Sequence, residues 1–259
     1  ILKASENSRL IIINQENTGV CKARNNALAQ AKGEFIAFLD ADDTWDPECL
    51  SKLYQVFTDS PKIVLAYCGW QNIGLANEPT RPFIPPNYET LNKKELLFEN
   101  CCWPIHACLT YKWAIDKAGR FDESLLTAED FLLWLKIGTR HPIGLAPEVL
   151  AFYQFHEGEQ ASKSHVTSAI NHWLAQNLFL RNNPKFKKSF NKKKLRKLTY
   201  GVLLHRAYVS YWSRDLKTAH ILFRKVLSCF YFHIRDLKYL IPSLLPYKLY
   251  QYLILGLDK

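Results

Sequence analysis

Methionine is missing from all 259 residues, and the chain opens on Ile1. It is therefore expected to be the larger, C-terminal part of a longer product. No signal peptide is recognisable, and the seven cysteines (21, 49, 68, 101, 102, 108 and 229) are odd in number and scattered, so they read as reduced, buried thiols of a cytoplasmic protein. The run "CCWPIHAC" (101–108) brings Cys101, Cys102, His106 and Cys108 close together, but alternation from His106 to Cys108 suits one face of a strand and no second ligand pair follows, which argues against a zinc cage. An uninterrupted membrane-spanning run is absent too. The best candidate, 237–257, is broken by Lys238, Pro242, Pro246, Lys248 and Gln251. It reads either as an aromatic, basic segment for a membrane interface or as a terminal helix packed on the helices before it. Acidic residues are scarce in one part only. Residues 1–183 carry 17 Lys+Arg against 21 Asp+Glu, and residues 184–259 carry 17 against 3. The net charge of +10 belongs to the tail, which points to an anionic surface as its partner. Nucleic acid is not the expected partner, since no reader motif accompanies the charge.

What is present is a repeated strand-and-helix pattern. "RLIIIN" (9–14), "EFIAFLD" (34–40) and "KIVLAYCGW" (62–70) read as strands, and "GVCKARNNALAQAKG" (19–33) as a helix between the first two, so that a parallel α/β sheet is expected. Residues 77–90 form a Pro-rich loop, a short helix is expected near 92–99, and "PIHACLTY" (104–111) and "GLAPEVLAFYQFHEG" (144–158) read as strands. "KWAIDKAGRFDESL" (112–125) reads as a helix ending at Gly119, and "TAEDFLLWLKIGTRH" (127–141) as an amphipathic helix with Glu129 and Asp130 at its start. Two domains are expected, 1–163 and a basic helical extension 164–259. The basic stretch 183–197 is a linker or a solvated face, and Ala207, Tyr211, Ala219 and Phe223 suggest one tetratricopeptide-like helical hairpin.

The chemistry gathers in "FIAFLDADDTWDPECL" (35–50), where an apolar strand runs into Asp40, Asp42 and Asp43. Clustered carboxylates repel unless a cation sits among them. An Asp-x-Asp at the carboxyl end of a strand suits a hard divalent cation, Mg²⁺ or Mn²⁺, with positions left open for a diphosphate. The competing reading is a solvated turn in which Asp43 and Asp46 cap the next helix, with Pro47 at its first position.

Three blocks together, "NTGVCKARNNALAQAKGEFIAFLDADD" (17–43), "AGRFDESLLTAEDFLLWLKI" (118–137) and "YQFHEGEQAS" (153–162), resemble the family 2 glycosyltransferases in order and separation. The resemblance implies the GT-A fold, a mixed sheet flanked by helices, here followed by the all-helical extension. It implies an enzyme that moves a sugar with inversion from a nucleotide-sugar, expected to be a UDP-sugar, to a saccharide or lipid-linked acceptor in cell-surface glycan synthesis. Arg24 would then lie beside the nucleotide, with Asn17 and Gly19 shaping the loop. Asp40 would face the ribose or sugar, Asp42 would ligate Mn²⁺ or Mg²⁺, and His156 would approach the metal or diphosphate. Asp130 would be the general base and Glu129 would orient donor or acceptor. The family's opening strand is expected ahead of Ile1, and Gln154 stands where the family often has arginine. The tail would rest on the cytoplasmic side of an anionic membrane. The alternative is a non-catalytic binding or scaffold protein built on the same domain; a nucleotidyltransferase would need a phosphate-cradling glycine loop that these residues do not contain.

Overall fold

The computed structural model describes residues 10–74, 80–101, 103–155 and 164–256. Helix α1 spans Val20–Gln30 and precedes two short strands, β1 (Phe35–Ile36) and β2 (Thr44–Trp45). Then come α2 (Cys49–Asp59), β3 (Leu65–Ile73), α3 (Lys93–Glu99), β4 (Cys108–Tyr111), α4 (Lys112–Lys117), α5 (Glu129–Gly138) and β5 (Ile143–Gln154). The sheet order is β1-β4-β3-β5-β2. Only β3 and β5 run parallel, from Leu65 opposite Ile143 to Ile73 opposite Gln154; the other three pairings are antiparallel. The sheet is therefore mixed, not the parallel one that the strand-helix alternation suggested. Alternation alone does not fix direction: β4 turns straight into α4 and pairs backwards with both β1 and β3.

Two other local expectations are corrected. Residues 10–14 form no strand; Leu10, Ile11 and Ile12 are exposed, with no sheet edge beside them to take their backbone groups. Asp46 does not cap α2. Its Oδ1 accepts the Glu48 N–H at 2.9 Å in a turn that holds Pro47, and the helix starts only at Cys49. Helix α5, expected to be amphipathic, is buried on almost every side: Phe131, Leu132, Leu133, Trp134, Leu135 and Ile137 are all in the core. Sandwiched between the sheet and the later helices, it has little solvent to face.

The C-terminal part is helical. It consists of α6 (His165–Asn182), α7 (Pro184–Lys188), α8 (Lys192–Arg196), α9 (Val202–Trp212), α10 (Leu216–Ser228), α11 (Leu237–Leu240) and α12 (Tyr247–Gly256). The sheet's core continues into it through Ala175, Phe179, Phe186, Leu195 and Leu198. Phe98 of α3 packs on Phe179 and Phe186, and the buried Gln176 amide donates to the carbonyls of Phe98 and Leu198 at 2.8 and 3.0 Å. The lysine-rich stretch is thus a pair of short helices that bury Phe186 and Leu195 and turn their lysines outward. A second core joins α9, α10 and the terminal helices around Ala207, Tyr211, Ala219, Phe223, Leu240, Tyr250 and Ile254. Ala207, Tyr211, Ala219 and Phe223 meet at its centre because small and aromatic residues alternate across the α9–α10 contact. No disulfide forms among the described cysteines, and no helix among the described residues is long and apolar enough to cross a membrane.

Candidate active site

The site is built by fastening α1 to the segment before α5. Gly19 sits at φ +95, a conformation that L side chains rarely adopt, and its N–H meets Asn17 Oδ1 at 3.3 Å; the turn starts α1 at Val20. Asn25 then makes a two-way bridge, its amide donating to the Phe121 carbonyl and its Oδ1 accepting the Phe121 N–H, both at 3.1 Å. The Cys21 thiol donates to the Leu125 carbonyl at 3.5 Å. Arg24, on the same helix, is thereby carried to the start of α5. Its Nη2 reaches both oxygens of Asp40 at 2.8 and 2.9 Å, and its Nη1 reaches Glu129 Oε1 at 2.7 Å. Burial works against the charge on this guanidinium, but Asp40, Glu129 and Asp130 outweigh it and raise its pKa above the ordinary value. One buried cation thus answers carboxylates from two distant stretches of sequence.

At the start of α5, Ala128 adopts the left-handed region at φ +62. A non-glycine residue there costs ~1–2 kcal/mol, and it turns the chain so that Glu129 and Asp130 open the helix beside the cleft. Asp130 is half-buried, and its Oδ1 accepts the Phe131 N–H at 2.7 Å. Burial first, then the Glu129 charge, push its pKa up to about 7, while the Phe131 N–H and Arg24 pull it back. A carboxylate titrating there can take a proton near neutral pH.

The acidic loop divides its three aspartates. Asp40 is committed to Arg24, and Asp42 is exposed. Asp43 is buried and does not cap α2, contrary to the turn reading. Its Oδ1 accepts the Gln154 N–H at 3.0 Å, tying the loop to the end of β5, and its Oδ2 lies 3.1 Å from His106 Nδ1 without hydrogen-bond alignment. Burial raises Asp43 to about 6 and lowers His106 to about 4, so His106 is neutral at pH 7 and the contact is not an ion pair. His106 is further fixed by its carbonyl, which accepts the Trp45 indole N–H at 2.7 Å, and by stacking against Tyr153.

These pieces open on a cleft of about 680 Å³. Arg24, Asp40, Glu129 and Asp130 line one part, and Trp70, Phe83, Trp103, Tyr153 and Phe155 supply aromatic walls. Gly69 lets the wall close: a Cβ there would stand 2.8–2.9 Å from the Glu148 and Phe83 carbonyls. Ser168, His172 and Arg206 of the helical part complete the lining. Of the residues expected from sequence, Arg24, Asp40, Glu129 and Asp130 come together in this cleft. Asn17 and Gly19 shape the entry to α1, where Val20 is the first residue to touch the cleft; Asp42 stays on the exposed loop, and His156 lies outside the described residues. Asn25, Arg206 and the aromatic walls were not singled out, and Asp43 was read only as a member of the acid cluster or a cap. Asn25 sits inside the quoted "ARNN" run, whereas nothing local marks Arg206, which only folding brings to the cleft.

Among the described residues no group of three or more His, Cys, Asp or Glu side chains converges as a metal cage. The donors present, an exposed Asp42 carboxylate with Asp40 on the same loop, are hard oxygens and leave coordination open. They fit Mg²⁺ or Mn²⁺ as a partial ligand set, with the remainder supplied by substrate oxygens.

Residues 1–117 match the family described as glycosyl transferase family 2. The match covers the sheet-bearing part as far as α4, a little under half of the chain. An uncharacterised glycosyltransferase of Methanocaldococcus jannaschii is 28% identical over 151 residues, 58% of this chain and 52% of the relative. The UDP-Glc:alpha-D-GlcNAc-diphosphoundecaprenol beta-1,3-glucosyltransferase of Escherichia coli is 31% identical over 137 residues, 53% of this chain and 51% of that enzyme. The chain thus spans about half the length of the curated relatives it matches. Among solved structures, S. aureus TarS in complex with UDP-GlcNAc gives a TM-score of 0.47 at 16% identity, over 87% of this chain and 71% of that one. Arg24 and Asp40 lie within the matched residues 1–117, and the cleft joins them to Glu129 and Asp130 beyond the match.

Proposed function

We propose that the protein transfers a sugar, with inversion, from a UDP-sugar to a hydroxyl of a saccharide or lipid-linked acceptor. The observation that carries this reading is the meeting of Asp40, Glu129 and Asp130 around one buried arginine at an aromatic-walled cleft. Asp130 accepts the proton of the acceptor hydroxyl as its oxygen bonds to the anomeric carbon. The bond from that carbon to the diphosphate oxygen breaks, and the electron pair leaves with the nucleotide. A base opposite the leaving group gives one displacement and inverted configuration. Arg24 keeps Glu129 and Asp40 in register across the cleft, Glu129 on the side of Asp130 and Asp40 on the side of the acidic loop. Mg²⁺ or Mn²⁺, held in part by Asp42, would supply charge to offset the departing diphosphate. His156 belongs to this proposal through the family resemblance.

The tail supports work at a membrane. Ile241, Leu244, Leu249, Tyr252 and Leu255 are exposed near Lys238 and Lys248, an apolar and basic surface suited to the headgroup region of an anionic bilayer on its cytoplasmic face. That is where a lipid-linked glycan acceptor would be met in cell-surface glycan synthesis.

The test is a radiolabelled donor screen with UDP-, GDP- and dTDP-sugars and membrane lipid extract, with and without Mn²⁺, beside Asp42→Asn and Asp130→Asn. Metal-dependent transfer lost in both variants, with UDP binding retained in Asp130→Asn, is the expected result. A folded protein that binds UDP yet neither transfers nor hydrolyses any donor would replace the enzyme reading with the binding-scaffold one.

A further inference from the structure

The cleft has a second charged wall, contributed by the helical part. Ser168 and His172 stand one turn apart on α6, and Arg206 on α9 faces the same space. Arg206 differs from Arg24 in one respect that matters. Arg24 spends its guanidinium on carboxylates, whereas the hydrogen bond Arg206 makes is from Nη1 to the Ser168 carbonyl at 3.3 Å, and no carboxylate among the described residues offsets its charge. Burial disfavours that charge, yet arginine keeps it, and a half-buried guanidinium with most of its five donors uncommitted among the described residues is a receptor for an anion.

His172 beside it has the complementary character. The residue is 5% exposed, the Glu99 backbone acts weakly on the ring in favour of its protonated form, and Nε2 has no partner among the described residues. In the Nδ1–H tautomer, Nε2 presents a lone pair. Burial, with Arg206 adding to it, lowers this histidine to about 3, so the ring stays neutral and Nε2 stays an acceptor at physiological pH. The ring packs at 4.3 Å on Phe131, the residue that follows Asp130. A cation that needs an anion and an acceptor that needs a hydroxyl thus stand together on the Asp130 side of the cleft, away from the acidic loop.

We propose that Arg206 and His172 form a subsite for a sugar phosphate on the acceptor side. Arg206 donates to phosphate oxygens, and a sugar hydroxyl donates to His172 Nε2. The acceptor is then a saccharide whose accepting unit carries a phosphate or diphosphate, which narrows the class proposed above. The word "acceptor" rests on the transferase reading; the binding of a sugar phosphate does not. The donor's own diphosphate is the other source of the same chemistry, and the experiment separates the two.

The full chain is titrated calorimetrically with α-D-glucose 1-phosphate, with and without saturating UDP, as wild type, Arg206→Gln, Arg206→Lys and His172→Phe. Glucose 1-phosphate is expected to bind the UDP-loaded wild type, to weaken about tenfold or more in Arg206→Gln, and to recover most of its affinity in Arg206→Lys, as loss of a charge-assisted bond predicts. UDP affinity should not change. His172→Phe should weaken glucose 1-phosphate but leave inorganic phosphate unaffected, and it carries the test if Arg206→Gln fails to fold. Equal binding to all variants, or none to wild type, overturns the subsite. Displacement of glucose 1-phosphate by UDP, with UDP itself weakened in Arg206→Gln, overturns the acceptor assignment in favour of the donor. Wild-type protein that binds glucose 1-phosphate through Arg206 but does not bind UDP would keep the subsite and count against the transferase reading.

Discussion

The two half-buried arginines of the cleft differ in what they are for. Arg24, in the sheet-bearing part, is closed by three hydrogen bonds to two carboxylates; Arg206, in the helical part, hydrogen-bonds among the described residues only to a backbone carbonyl. A charge paired on all sides organises its neighbours and is unavailable to a ligand. A charge held in a cleft without an opposite partner is costly to keep and is open to one. The same contrast runs through the whole molecule. Residues 1–183 mix acids and bases nearly evenly, while residues 184–259 carry 17 Lys+Arg against 3 Asp+Glu. A shared core holds the two parts together, so the cleft can draw one kind of cation from each.

The comparison breaks hardest at Arg24. Arg24→Leu should destabilise the fold by ~3–5 kcal/mol, because it leaves two carboxylates facing each other without a cation; Arg206→Leu, by removing an unpaired charge, should be neutral or stabilising. Urea denaturation of both variants measures the difference, and equal losses would abolish the distinction drawn here. Next in size is the proton balance at Asp130. With its pKa raised to about 7, the carboxylate is increasingly ionised as pH rises, so kcat/KM should climb roughly tenfold per pH unit below 7 and level off above it. Stability moves the other way. A carboxyl whose folded pKa lies above its unfolded value favours folding below the unfolded value and loses that contribution as pH rises through about 7. A pH-rate profile flat from 5 to 8 would remove Asp130 from the base role. Asn25→Ala should cost ~1–3 kcal/mol and lower activity along with it, by unpairing the Phe121 N–H and loosening the seat of Arg24; thermal melting read beside transfer rates shows whether the two fall together. The smallest effect is expected at the tail. Tyr252→Ser with Leu255→Ser should change stability by under ~0.5 kcal/mol, since both side chains are exposed, but should weaken sedimentation with anionic vesicles. Unchanged vesicle binding would leave the tail to protein packing alone.

The sequence was informative wherever the signal is local. Asp40 and Asp42 follow an apolar strand, Glu129 and Asp130 open a helix, and Gly19 starts one; each can be read within a few residues. The helical hairpin at Ala207, Tyr211, Ala219 and Phe223 was legible for the same reason, since its spacing follows one helix face. Readings that depended on a distant neighbour fared differently. Asp43 looked like a cap and is a buried tether for Gln154, because the group it binds is more than a hundred residues away. Residues 10–14 have the composition of a strand without a strand beside them, and α5 carries a surface helix's acidic start on a helix enclosed on nearly all sides.

The linear sequence therefore determined which chemical groups this protein has and the local geometry that presents them: carboxylates at strand and helix ends, aromatic residues with strand periodicity, and a tail of one sign. Only the tertiary structure decided which of those groups share a charge. Whether an arginine is a strut or a receptor depends on what stands within about 3 Å of it. That is set by the packing of α1, α5, α6 and α9 against one another, elements that lie up to about 180 residues apart and carry no mark of one another in their own sequence.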